Sequence, residues 1–394
     1  MIALIIFWAS VALITYAYLG YPAVLWCRAR IIRRPVRKQP VEPSVSVILV
    51  IRNEESRIGT KLANICALDY PADKVQVLVV SDASTDASVE IVRSYQPAQS
   101  QRITLLELVS RSGKAAGLRV AIAASTSEIL LFTDVRQEIE RSALRNLVAN
   151  FADPGVGCVS GELMLRKSDS SARADISLYW RIEKLVRKLE SKSGSVIGAT
   201  GALYAVRRDA AVPPPAGTLL DDVFNPMHVV KSGLRVIFEP GAVAWDTTCD
   251  ERQEFRRKVR TLAGNYQLIQ IAPWLLTRKN PVLLSFVSHK LLRMWVPLFL
   301  FGAWVANLML LFSGELYIVT LGVQCLGYFA ALLAFLLPKR FVPGICSAAF
   351  SVLLLNAAAV VATFEFIVHG RELEHLWQRT EVTGVSSVSG GGVH

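Results

Sequence analysis

The chain has 394 residues, 52% of them apolar and 19% charged, with a formal net charge of +11. The apolar share is high and the charged share low for a purely soluble protein, so a soluble domain joined to membrane segments is expected. The positive charge fits nucleic acid, acidic lipid or an anionic substrate. There is no zinc-ligand spacing and no basic stripe interleaved with aromatics, so nucleic acid is not expected as a partner. Cys27, Cys66, Cys158, Cys249, Cys325 and Cys346 are scattered, with no C-x-x-C pair. Free thiols in a reducing compartment are expected.

Residues 2–26 carry no charge and are long enough to span a bilayer. "CRARIIRRPVRKQP", Cys27 to Pro40, follows with six Arg/Lys and no acid. A cleaved signal peptide would have a basic start and a shorter apolar core. An uncleaved anchor (1–27) with the N-terminus outside is therefore expected, then a basic linker (28–43) against acidic inner-leaflet lipid.

From 44 to 275 the pattern changes. Apolar runs at 45–51, 75–80, 103–108, 128–133 and 157–163 read as strands. "STDASVEIVRSY" and "GKAAGLRVAIAAS" read as helices between them. This alternation predicts an α/β domain with a mainly parallel sheet and helices on both faces. Ligands then bind beyond the carboxyl ends of the strands.

From 276 to 370 the chain is apolar again. "SHKLLRMW" (288–295) reads as interfacial, with His289, Lys290 and Arg293 at headgroup level beside Trp295. Three spans follow, at roughly 295–312, 316–337 and 344–368. Lys339 and Arg340 favour a cytoplasmic loop between the last two, and the same parity places the C-terminus outside. The polar tail, 371–394, ends in "SSVSGGGVH".

Several segments can carry chemistry. In "VVSDASTD", Asp82 follows a buried strand and either caps the next helix or accepts hydrogen bonds from a base or ribose. Lys114, after a glycine at a helix start, can hold phosphate. Asp221 and Asp222 open a helix, which suits the macrodipole and also suits a general base. Arg256, Arg257, Lys258 and Arg260 are either a solvated or lipid-facing basic surface or a cradle for a diphosphate. Asp134, in "FTDVRQ", sits at a strand tip, with Arg136 where a second acid would complete an acid-x-acid pair. That leaves a one-carboxylate metal site, a diphosphate site without metal, or no site.

In this order "ILVIRNEE", "SDASTD", "GKAAGL", "FTDVRQ", "FADPGVGCVSGEL", "GATGALYAVRRD", "LLDDV" and "RKVRTLAG" resemble the family 2 glycosyltransferases, inverting membrane-attached enzymes of GT-A fold. The resemblance runs from Val45 to about Gln267. It implies that Asp82 binds the nucleobase or ribose and that Asp134 faces a nucleotide-diphosphate sugar and its Mg2+ or Mn2+. Asp222, with Asp221 beside it, matches the acid that deprotonates the acceptor hydroxyl. Arg257, Lys258 and Arg260 fall in the family's Q-x-x-R-W region, and Gly201 and Ala202 leave space for a sugar on the acceptor side. Thr261 stands where polymer-extending members have a stacking Trp, which argues against processive synthesis. Arg136 is the other departure. Magnesium can sit on one carboxylate with phosphates and waters completing its shell, so a weakly held divalent cation is expected, with Arg136 also reaching the diphosphate.

The expected protein is a multi-pass glycosyltransferase of the inner or plasma membrane with its catalytic domain cytoplasmic. It acts on a lipid-linked or polysaccharide acceptor. The alternatives are a processive synthase needing a homo-oligomer or an export partner, and a degenerate transferase acting as a scaffold subunit.

Overall fold

A computed structural model describes residues 1–97, 101–166, 178–247, 251–337, 342–373 and 375–376. Cys249, Lys339, Arg340 and the tail from 377, used above, lie outside the described residues. The chain forms two compact units. One holds Thr15–Thr248 and Ile271–Leu291; the other holds Met1–Ile14, Cys249–Gln270 and Leu292–His394.

In chain order the elements are α1 (Ile2–Thr15), α2 (Tyr21–Ile31), β1 (Val45–Ile51), α3 (Ile58–Cys66), β2 (Val75–Ser81), α4 (Ser88–Ser94), β3 (Arg102–Glu107), α5 (Gly113–Ala124), β4 (Ile129–Thr133), β5 (Glu138–Ile139), α6 (Ala143–Val148), β6 (Val156–Arg166), α7 (Leu178–Ser193), β7 (Leu203–Arg207), α8 (Asp221–Lys231), β8 (Arg235–Thr247), α9 (Glu251–Ile271), α10 (Leu283–Phe286), α11 (Leu292–Met309), α12 (Glu315–Leu336) and α13 (Gly344–His369).

In the first unit eight strands form one sheet in the order β3-β2-β1-β4-β7-β6-β8-β5. The strands β3, β2, β1 and β4 run parallel, and β7 is antiparallel to both neighbours. Side chains alternate across the pleat. Val45, Val47, Leu49 and Ile51 of β1 therefore pack with Ile58, Leu62 and Ile65 of α3, while Ile48 of β1 packs with Leu118, Ala121 and Ile122 of α5 on the other face. At Gly117 a Cβ would stand 2.6 Å from Val50 Cγ1, so glycine lets α5 lie close against β1. The β6–β8 pairing shifts register between Ser160 and Glu162. The extra length on β8 is Glu239–Ala242, which includes Pro240, a residue that cannot donate to a ladder.

The segment read as interfacial is instead part of this unit's interior at His289. Its Nδ1 lies 2.9 Å from Glu190 Oε1 and its Nε2 lies 3.1 Å from Glu183 Oε1. Tyr21 donates to the same Glu190 oxygen at 2.6 Å. A buried carboxylate needs donors, and these two side chains supply them.

Among the described residues four helices are long and apolar enough to cross a membrane: Ile2–Ile31, Leu283–Met309, Glu315–Leu336 and Gly344–His369. The first includes a π-helical turn at Tyr16–Gly20 and the second one at Val287–Leu291. In the helical unit Phe7, Ala306 and Tyr317 form a small core, while Phe301, Val323, Phe329 and Phe364 are exposed. The 21-residue helix α9, expected within the α/β domain, groups with these apolar helices except for its last residue.

Candidate active site

The order of the sheet fixes where a ligand can bind. From β1 the chain steps outward to β2 and β3, then returns to β4 on the other side of β1. The carboxyl ends of β1 and β4 therefore flank a topological switch point, the crevice that open α/β sheets use for ligands. Just past β1 and β2 two non-glycine residues have left-handed backbones, Asn53 at φ 51° and Ala83 at φ 51°. Asparagine tolerates this conformation, but for alanine it costs about 1–2 kcal/mol. Hydrogen bonds hold both turns. Arg52 Nη1 donates to Asp82 O at 2.9 Å, and Thr85 N donates to Asn53 Oδ1 at 2.9 Å.

Asp82 is buried, and it caps a helix other than the one next in sequence. Its carboxylate accepts from Ser112 N at 2.6 Å and Gly113 N at 3.0 Å, the first free amides of α5. The following helix, α4, uses Asp86 instead, whose Oδ1 accepts from Ser88 N at 3.0 Å. Gly113, at φ +81°, makes the turn that aims Lys114 inward. Lys114 Nζ then lies 2.9 Å from Asp134 Oδ1 and 3.3 Å from Asp221 Oδ1. Burial opposes its charge, but Asp134, Asp221 and Asp222 outweigh burial and raise its pKa. The residue read as a phosphate holder is thus the cation that draws three acids together.

Buried Leu219 and Leu220 anchor the start of α8. Asp221 points inward, where Tyr204 Oη donates to its Oδ2 at 3.3 Å. Tyr204 is itself stacked on Phe132, with centroids 4.6 Å apart. Asp222 stays partly exposed. Its pKa is raised to about 6 by burial and by Asp221, against the pull of Lys114 and Lys290. A Cβ on Gly201 would stand 2.9 Å from Asp222 Oδ2. The absence of a side chain at Gly201 therefore makes room for the Asp222 carboxylate. Ala202, the other residue expected on the acceptor side, is buried in the core, and its carbonyl accepts from Thr133 Oγ1 at 2.9 Å.

Asp134 is 42% exposed at its side chain, which leaves carboxylate surface open to a ligand. An oxygen donor of this kind, with phosphates and water, suits a hard divalent cation, and Lys114 marks where positive charge is already stabilised. Arg136, expected to reach the diphosphate, places its Nη2 2.7 Å from Asp246 Oδ2 on β8, a buried carboxylate that also accepts from Gln137 Nε2 at 3.1 Å. Arg257, Lys258 and Arg260 lie on α9, in the helical unit, where Lys258 pairs with Glu254 at 2.5 Å.

Two buried charged side chains near these acids had no place in the sequence motifs. Lys61 of α3 is buried and donates to Thr133 Oγ1 at 3.0 Å and to Gln137 O at 2.6 Å, fastening both ends of "FTDVRQ". Burial lowers its pKa to about 7, although Asp134 and Glu138 pull it back up. The signal was its spacing, three residues after Ile58 and four before Ile65, on the helix face that becomes buried. Asp246 is the other, an acid near the end of a strand.

Residues 46–211 match the family model described as glycosyl transferase family 2. The mannosyltransferase PcManGT from Pyrobaculum calidifontis, solved with GDP-Man and Mn2+, superposes with a TM-score of 0.69 at 26% identity, covering 92% of this chain and 99% of that one. An N-acetylglucosaminyltransferase of Azorhizobium caulinodans is 28% identical over 243 residues, 58% of this chain and 61% of that protein. A beta-monoglucosyldiacylglycerol synthase of Synechocystis sp. is 30% identical over 122 residues, 30% of this chain and 25% of that protein. The chain thus spans less than two thirds of the length of these two curated relatives.

Proposed function

We propose, from the premise that this chain is a family 2 glycosyltransferase on a GT-A-like sheet, that it moves a sugar from a nucleoside diphosphate to a hydroxyl of a lipid-linked or glycan acceptor. The observation that carries this reading is Asp222. It is a partly exposed carboxylate with its pKa raised to about 6, and it shares one charge cluster with Asp134 through Lys114. A base poised near neutral pH is effective because it is both ionised and still basic.

Asp222 takes the proton of the acceptor hydroxyl. The freed oxygen forms a bond to the anomeric carbon as the bond from that carbon to the diphosphate oxygen breaks. The electron pair leaves with the nucleoside diphosphate, and attack from the opposite face inverts the centre. Asp221 orients Lys114 and Tyr204, and Asp82 fixes the start of α5 beside the donor. When bound, a divalent cation on Asp134 would neutralise charge on the departing diphosphate.

Membrane attachment is supported by the four long apolar helices. The basic run after the first of them supports a cytoplasmic position for the sheet unit. The test is a panel of nucleotide sugars, beginning with GDP-mannose and UDP-N-acetylglucosamine, offered to membranes carrying the chain with Mg2+ or Mn2+. Acceptor-coupled release of nucleoside diphosphate, absent with Asp222→Asn, is expected for one donor. No turnover of any donor by folded protein would reject the proposal.

A further inference from the structure

The last apolar helix ends in a polar corner remote in sequence from the acids above. Glu365 and His369 stand one turn apart on α13. Gly370, at φ +58°, then turns the chain, a conformation that favours glycine. The turn brings His375 back to the same corner. His375 Nε2 lies 2.9 Å from Glu365 Oε2, and His369 Nδ1 lies 3.3 Å from that same oxygen. The two imidazoles are 4.4 Å apart, inclined at 45°. One ligand atom from each of the three residues lies within 4.8 Å of the others.

We propose that Glu365, His369 and His375 form a binding site for one divalent transition-metal ion of the zinc class. The donor types fit. Two imidazoles and a carboxylate are a common zinc set, with a fourth position left for water. Nitrogen-rich sites of this kind favour zinc over magnesium, which prefers oxygen ligands and keeps its water. This chemistry differs from that of the lone carboxylate of Asp134, so the two cations would be told apart by ligand softness.

The orientation of the rings points the same way. His375 Nε2 faces Glu365 Oε2 at 2.9 Å, and His375 Nδ1 lies 3.3 Å from Glu372 O. An outer carbonyl of this kind is the usual support of a metal-bound histidine. The His369 ring lies against His375, and His369 Nδ1 also lies 3.1 Å from Glu365 O.

The corner is also held by its surroundings within the helical unit. Tyr266 Oη lies 3.0 Å from Thr363 Oγ1, and its ring stacks on Phe366. Gln267 Nε2 donates to Arg371 O at 2.9 Å, and Arg371 Nη2 donates to Gln270 O at 3.2 Å. A metal here clamps the segment after α13 onto the helix end.

The test uses the full chain in detergent with any polyhistidine tag removed. The protein is stripped with chelator, dialysed against zinc in excess Mg2+, and assayed for bound zinc and for melting temperature. One equivalent of zinc per wild-type chain is expected, with a rise in melting temperature. Glu365→Gln, His369→Ala and His375→Ala should each weaken zinc binding by about tenfold or more, whereas Asp134→Asn should retain the full equivalent. Cobalt in place of zinc should give the intense visible bands of a four-coordinate site, lost in His375→Ala. Absence of zinc from the wild type overturns the proposal. So does wild-type retention by the histidine variants, or loss of the zinc in Asp134→Asn, which would place the ion on the sheet unit's acids. The wild-type measurement stands even where a variant fails to fold.

Discussion

The two units bury opposite things. In the sheet unit apolar side chains fill both faces of the sheet, and charge is gathered at the strand ends around Lys114, Asp134, Asp221 and Asp222. In the helical unit large apolar side chains such as Phe301, Val323 and Phe364 face outward, and polar groups bond inward. Thr320 donates to Asn307 Oδ1 at 3.1 Å, and Gln324 Nε2 donates to Leu300 O at 3.0 Å. Water drives the first arrangement by the hydrophobic effect. The second suits lipid, where apolar surface costs nothing and every polar group needs an internal partner. The contrast teaches that charge in the sheet unit is concentrated where chemistry is expected, so substitutions there should act on rate and pH dependence more than on folding.

The largest expected effect is at Asp222. Asp222→Asn keeps the shape but not the proton acceptor, and turnover should fall by about 100- to 10,000-fold with donor binding retained. Single-turnover rates and donor titration separate these two readouts.

Lys114→Met comes next. Its ammonium is one of the two charges that hold the Asp222 pKa down. Without it the folded pKa rises further, so the base is protonated at higher pH. The acidic limb of the rate profile should move up by about one unit, a tenfold loss at a fixed acidic pH.

Gly201→Ala should follow. The new Cβ would meet Asp222 Oδ2 at 2.9 Å, so one of them must move. A misplaced base slows turnover, here by roughly tenfold, at a stability cost of about 1–3 kcal/mol. Thermal melts beside kinetics would show whether rate falls more than folding.

Lys61→Met removes the clamp on "FTDVRQ" and should raise the Mg2+ or Mn2+ concentration for half-maximal activity several-fold, read by metal titration. An unchanged titration would make Lys61 a packing residue only.

The smallest effect on rate is expected for Arg136→Ala, within about threefold, because its partner is Asp246 rather than substrate. The loss appears in stability instead, since a buried carboxylate loses one of its charged partners. Adding Asp246→Asn should restore the melting temperature. A steep rate loss in Arg136→Ala without a change in melting would return Arg136 to the diphosphate.

Much of the parallel half of the sheet was legible because β1, β2, β3 and β4 are continuous apolar runs closed by polar turns. By contrast β8 was not, since Pro240 and Gly241 interrupt its pattern at a bulge. The acids at strand ends and helix starts were visible by position, but their partners were not. No local pattern reveals that Asp82 caps a helix thirty residues on, or that Lys114 joins acids from two distant segments. These are consequences of strand order, which only the folded sheet displays. The partner of Arg136 was hidden for the same reason: Asp246 lies on β8.

The most direct measurement is the pH dependence of kcat/KM for wild type and Asp222→Asn with the same donor and acceptor. A base whose folded pKa is raised is lost by protonation as pH falls through that value, so the wild-type profile should drop below about pH 6. The Asp222→Asn profile should be low and flat across the same range. Wild-type activity in Asp222→Asn, with the acidic limb intact, would contradict the account and leave Asp222 as an acid that only completes the first turn of α8.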